Sequence, residues 1–139
     1  AVFRKQADAI TDIYVENMNE VLGACEARGQ PCLVAVQPAR AVTAEHLGTQ
    51  SDDILSQKRM TEIYALLLDK VAASPHRSKY IDLTRVFDKG EKLQLFSDSV
   101  HPNYAGQQVM ANALLAPALA ALRSAKMAPP LPERCRKKE

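Results

Sequence analysis

Cys32-Leu33-Val34-Ala35-Val36-Gln37 sets the fold class this sequence predicts. It is a continuous apolar run, β-branched in part, closed off by Pro31 before it and Pro38 after it. An unalternating run of this length reads as a strand buried on both faces, as in a parallel sheet. Lys79-Tyr80-Ile81-Asp82-Leu83-Thr84 reads as a second strand. A helical pattern lies between the two, so strand, helix and strand form a unit for which a right-handed crossover is expected.

Outward from the first strand, residues 5 to 28 carry Ile10, Ile13, Tyr14, Asn17, Met18, Val21, Leu22 and Cys25. This spacing predicts an amphipathic helix with those residues on its apolar side. Gly29 supplies a C-terminal stop, with Pro31 just beyond. Ser51-Asp52-Asp53 is a suitable N-terminus for the middle helix, two acids facing the helix dipole. Ile54, Leu55, Met60, Ile63, Tyr64, Leu67 and Val71 carry it to about Ala73, and Ser74-Pro75 ends it. Ala39 to Thr49 is a loop beyond the carboxyl end of the first strand, where open α/β sheets bind ligands, so Gln37 to Arg40 are candidate pocket residues. Val86 to Leu95 is a second loop, with Lys89-Gly90 as its turn. The order is helix, strand, helix, strand, helix, without internal repeats. Two parallel strands leave bare edges, so further strands are expected to pair with them from elsewhere.

The chemistry concentrates in Phe96-Ser97-Asp98-Ser99-Val100-His101-Pro102-Asn103-Tyr104-Ala105-Gly106. Pro102 pushes His101 away from helical dihedrals, which puts the imidazole on a turn with a helix starting behind it. Asn103 is placed to cap that helix, which reads to about Arg123 with Val109, Met110, Ala113, Leu114 and Leu119 as its apolar side. Gly106 in its first turn predicts a close backbone approach. Pro117 predicts a kink or a break into two helices. Asp98, three positions before His101, can accept a hydrogen bond from one ring nitrogen and leave the other free as a base. A lone turn histidine more often caps a backbone group, and a lone Asp is a common turn-former. The pairing ahead of a helix is what points to catalysis.

Asp-x-x-His-Pro-Asn with a Gly shortly after resembles the last conserved block of the SGNH (GDSL-type) esterases and lipases. In that family the His is the general base and the Asp completes the triad, which here means His101 and Asp98. Tyr80-Ile81-Asp82-Leu83 to Leu95-Phe96 is similar to the family's last strand and the loop leading to its His, and Leu33 to Pro38 to the strand before. The resemblance covers roughly Val2 to Leu122. It implies an α/β chain contributing the last two parallel strands and flanking helices of a three-layer α/β/α, flavodoxin-like fold. Residues 1–124 would be the C-terminal part of such a domain, and 125–139 a Pro-rich, basic, disordered tail. The Gly-Asp-Ser block with its nucleophile, the oxyanion-hole Gly and the Gly-x-Asn-Asp block have no counterpart in this sequence. The expectation is therefore a missing N-terminal half, in a longer protein or on a second chain.

The implied reaction is hydrolysis of a carboxylic ester (a small acyl ester, a lipid or an acetylated carbohydrate) by a serine hydrolase. Ser97 and Ser99 flank Asp98 on one tight turn and are poorly placed to reach the free face of His101. Ser51, Ser56, Ser74, Ser78 and Ser124 lie at helix ends or within helices without a Gly-flanked elbow, so the chain alone is expected to be inactive. The alternative is a non-catalytic SGNH-like α/β module that binds a partner or carbohydrate and retains the His–Asp turn. Asp82 reads as a hydrogen-bonded structural carboxylate rather than a substrate ligand.

The rest of the sequence narrows the class. With 139 residues, 47% hydrophobic and 24% charged, the composition is that of a globular domain and not a disordered chain. A net charge of +2 gives no reason to expect a nucleic-acid partner. No apolar run approaches the roughly 20 residues that cross a bilayer. His46, His76 and His101 are far apart and no Cys/His spacing suits zinc, so no metal or cofactor is expected. Cys25 and Cys32 read as buried structural thiols, with a disulfide available only if their backbones come within about 7 Å. Cys135 would then be left over. The compartment is not legible beyond the family's leaning towards secreted or periplasmic proteins.

Overall fold

The computed structural model describes residues 2–42, 54–88, 95–98 and 100–125. The expectations on Ser51-Asp52-Asp53, His46, Lys89-Gly90, Ser99, Cys135 and the 126–139 tail lie outside the described residues. Of Ala39 to Thr49, only the part up to Val42 is described, and the side chains of Ile54 and Leu55 lie outside as well.

Helix α1 spans Val2–Ala27, strand β1 Val34–Val36, helix α2 Ile54–Ala73, strand β2 Tyr80–Asp82 and helix α3 Tyr104–Ser124. Short 3-10 turns at Arg40–Val42 and Arg77–Lys79 sit after β1 and before β2. The element order follows the sequence reading. The proportions do not.

Among the described residues the sheet has two parallel strands of three residues each, against helices of 26, 20 and 21. The register pairs Val34 with Tyr80, Ala35 with Ile81 and Val36 with Asp82. Paired residues in parallel strands share a face. Val34, Val36 and Tyr80 therefore point one way, and they pack with Val15 and Leu22 of α1 and Val71 of α2 in one cluster. On the opposite face Ala35 is exposed and Ile81 half-buried. Hence β1 is not buried on both faces. Its apolar run is spent differently: Cys32 enters a disulfide while packing beside the main core, Leu33 precedes the strand, and within the strand Val34 and Val36 face that core.

The expected three-layer, flavodoxin-like SGNH architecture is thereby corrected. The chain is mostly helical, and a three-residue, two-stranded ribbon with an open Ala35 face is too small to be the middle layer between helices. Helix α3 packs instead through Ala105, Val109 and Met110 against a second cluster made by Phe87, Leu95 and Phe96.

Helix α1 also turns its stripe. Ala7, Thr11, Val15 and Leu22 are buried, with Met18 packed beside them. Ile10, Ile13, Tyr14 and Val21, expected on the inner side, are exposed. The helix carries two apolar lines, and the line through Ala7, Thr11, Val15 and Leu22 is the buried one. The buried Thr11 hydroxyl bonds the Ala7 carbonyl at 2.9 Å, so it brings no unsatisfied group into the core. Lys70 of α2 reaches back to Asp8 and Asp12, tying the two helices on their outer side.

The end of α1 is built as predicted, and more tightly. Gly29 sits at φ +64°, the Gln30 amide donates to the Cys25 carbonyl at 2.9 Å and the Gly29 amide to Glu26 at 3.0 Å. This is the Schellman pattern, which reverses the chain over a left-handed residue. The reversal brings the Cα atoms of Cys25 and Cys32 to 6.1 Å, and the two form a disulfide. The reading as separate thiols is overturned. Pro117 gives no break either, because α3 runs as one helix from Tyr104 to Ser124.

Candidate functional site

The site is the turn between Leu95 and the first residues of α3. Three fixings hold it. Phe96 and Pro102 form an antiparallel bridge, the Ser97 amide donates to the His101 carbonyl at 2.8 Å, and the Asn103 amide to the Leu95 carbonyl at 2.9 Å. Asn103 then caps α3, its Oδ1 accepting from the Gly106 amide at 3.0 Å. Gly106 is buried, and a Cβ there would lie 2.3 Å from the Leu95 carbonyl oxygen. Beneath the turn, Phe87 and Phe96 meet edge to face with centroids 5.2 Å apart.

On this platform Asp98 and His101 come together as the sequence predicts. Asp98 Oδ2 lies 2.7 Å from His101 Nδ1. Its other oxygen, Oδ1, accepts from the amides of Val100 at 2.9 Å and His101 at 2.8 Å. Both carboxylate oxygens are thus engaged and the imidazole is fixed through Nδ1. These contacts, the Val100 amide first, then the His101 ring, then the His101 amide, hold the Asp98 carboxyl down to about 2. The carboxylate is therefore charged throughout the neutral range. The His101 side chain is 74% exposed and that of Asp98 55%. Among the described residues no hydrogen bond engages His101 Nε2.

Of Gln37 to Arg40, it is Arg40 that reaches this turn. Its guanidinium lies 5.8 Å from the Phe96 ring centre and donates to the Phe96 carbonyl at 3.5 Å. Pro38 and Ala39 are sealed in the interior, and Gln37 is exposed. Arg40 stood in the sequence only as one of four pocket candidates, and nothing local in the chain marks its partner 56 residues away. Asp82 is structural: its Oδ1 accepts from the Thr84 amide at 2.8 Å and the Thr84 hydroxyl at 2.7 Å.

No described seryl hydroxyl is hydrogen-bonded to His101. Ser74 is buried and donates to Asn19 Oδ1 at 2.7 Å, and Ser124 bonds the Ala121 carbonyl at 2.9 Å. A cavity of about 220 Å³ lies elsewhere, walled by Leu22, the Cys25–Cys32 disulfide, His76, Lys79 and Ala121. His76 there faces Glu26 across 3.7 Å. Among the described residues no group of three or more His, Cys, Asp or Glu side chains is arranged to hold a metal ion, and no helix is long and apolar enough to cross a membrane.

Comparison with family models, with curated proteins and with solved structures gave no match to this chain.

Proposed function

We propose that His101 and Asp98 are the base and orienting acid of an ester-hydrolysing site whose nucleophilic hydroxyl comes from polypeptide outside the described residues. The observation that carries this reading is the 2.7 Å contact from Asp98 Oδ2 to His101 Nδ1. It fixes the ring in the tautomer that leaves Nε2 as a proton acceptor directed away from the carboxylate. The resemblance of the Asp-x-x-His-Pro-Asn segment to the closing block of SGNH esterases supports the same assignment.

The steps then follow. His101 Nε2 takes the proton of a seryl hydroxyl as its oxygen attacks the ester carbonyl, and the carbonyl π electrons pass to the oxygen. The imidazolium so formed is held by Asp98. It returns the proton to the departing alkoxide as the carbon–oxygen bond breaks. Water, deprotonated by the same nitrogen, then releases the acid and restores the serine. A carboxylate that is charged across the neutral range suits this task, since it must stabilise the imidazolium and not share the proton.

The test is ester turnover, on a short-chain aryl ester, by the protein assembled with whatever chain or segment supplies the serine. His101→Ala is expected to lower turnover by about 10²–10⁴-fold, the usual worth of a positioned base, with the fold retained. Turnover near the wild-type rate would remove the assignment. The exposure of the pair favours a second reading, a non-catalytic module in which the turn binds a partner or carbohydrate. A fluorophosphonate probe separates the two, because it labels a serine activated by His101 and leaves a binding module unmodified.

A further inference from the structure

We infer that Arg40 is a positioning residue for the His101–Asp98 pair, locking the pair's turn to the loop that follows β1. This rests on the reading of the pair just given and extends it to a residue outside the motif. Four contacts form a chain. Arg40 donates to the Phe96 carbonyl at 3.5 Å and lies over the Phe96 ring at 5.8 Å. Phe96 is itself buried and bridged to Pro102. The next amide, that of Ser97, donates to the His101 carbonyl at 2.8 Å. The carboxylate that orients the ring is the next residue along.

The geometry is specific to arginine. A planar guanidinium stacks on an aromatic face and donates in its own plane at the same time, which neither a lysine nor a glutamine does. The base of the arrangement is rigid. Arg40 opens a short 3-10 turn in which the Val42 amide bonds the Ala39 carbonyl at 3.0 Å, and Ala39 and Pro38 are sealed in the interior. A side chain whose backbone is anchored beside the interior thus reaches across to the exposed turn that carries Asp98 and His101. Without it the turn keeps its partners and its packing on Phe87 but, with the tie to the loop after β1 gone, holds its own hydrogen bonds less firmly.

NMR of the folded chain tests this through two signals of the turn and one of the core. The turn signals are the His101 Nδ1 proton resonance and the exchange rate of the Ser97 amide. The core signal is the Leu83 amide, which donates to the Val36 carbonyl at 3.0 Å. In Arg40→Gln the Nδ1 resonance is expected to broaden away and Ser97 exchange to quicken by about tenfold, with Leu83 protection unchanged. Unchanged turn signals would overturn the proposal. So would turn and core signals falling together, which would make Arg40 a residue of general stability. Should Arg40→Gln fail to fold, Arg40→Lys is read against the same two outcomes. Asp98→Asn keeps the underlying reading separate. Loss of the Nδ1 resonance there, with its survival in Arg40→Gln, refutes the role of Arg40 alone. Survival in Asp98→Asn refutes the pair itself.

Discussion

Gly106→Ala should loosen the turn that carries Asp98 and His101 and destabilise the chain, although alanine is the better helix former. Its Cβ would stand 2.3 Å from the Leu95 carbonyl oxygen, 3.0 Å from Pro102 Cβ and 3.3 Å from the Leu95 carbonyl carbon. These neighbours are backbone and a proline ring, so they cannot swing aside. The Leu95 carbonyl would have to retreat by about 1 Å to reach even a tight carbon–oxygen contact. That carbonyl accepts from the Asn103 amide at 2.9 Å, so its retreat takes the entry to α3 with it. Overpacking of this kind costs about 1–3 kcal/mol and the weakened hydrogen bond about 1 kcal/mol. Replacing Gly in a helix returns up to about 1 kcal/mol. The net loss is then about 2 kcal/mol, or a fall in Tm on the order of 5–10 °C for a chain of this size. A calorimetric melt beside the wild type reads the effect, with Ser97 amide exchange as a local reporter. A variant that melts at or above the wild-type temperature would refute the argument, since Leu95 would then not be pressed against the helix.

Two further outcomes follow from the same contacts. Asp98 is held down to about 2 from its ordinary 3.8, so the folded turn binds a proton less readily than the unfolded chain. Its contribution is therefore complete above about pH 4 and lost as pH falls through about 2. The ¹³C shift of the Asp98 carboxyl should titrate with its midpoint near 2, and a midpoint near 4 would mean that the three donors are not engaged in solution. Reducing Cys25–Cys32, seven residues apart, should cost about 2–3 kcal/mol by the loop-entropy relation. Melting with and without a phosphine reductant checks this, and coincident curves would contradict a formed disulfide.

How much of this was legible in the chain depends on the range of the interaction. Local rules served well. Gly29 ended α1, Asn103 capped α3 and Asp98 reached His101, because each depends on residues within a few positions, while Gly106 announced a close backbone approach without naming its partner, Leu95, on the far side of the turn. The misreadings turn on how segments pack and pair, beyond what their own patterns state. An unalternating Cys32–Gln37 run is consistent with burial on both faces, yet Ala35 faces outward and Cys32 is drawn to Cys25 by a left-handed turn whose tightness the sequence does not express. In α1, Ile10 and Val21 outrank Ala7 and Thr11 in hydrophobicity. The line through Ala7, Thr11, Val15 and Leu22 still faces inward, a choice between two apolar lines that the pattern of α1 alone does not make. Pro117 removes one backbone donor, but α3 continues across it. Arg40 reaches Phe96 across a separation that no local pattern encodes.

The remaining question about the site is whether Asp98 orients a base or only shapes a turn, and its two oxygens make that separable. Oδ1 shapes the turn by accepting from the Val100 and His101 amides, while Oδ2 faces the ring at Nδ1. In Asp98→Asn the amide oxygen can keep the two backbone donors, so the turn survives. The amide nitrogen then faces Nδ1 as a donor, and the ring must place its proton on Nε2, the nitrogen required to accept one. Asp98→Ala removes both roles together. A catalytic pair therefore predicts that Asp98→Asn lowers turnover of the assembled protein on the order of 10²–10⁴-fold, the range over which a positioned base contributes. Ser97 amide protection would stay at the wild-type level. A turn-former predicts the reverse ordering, with Asp98→Asn silent and Asp98→Ala alone disruptive. The ratio of the two variants' rates, and not the loss in either one, decides what the carboxylate is for.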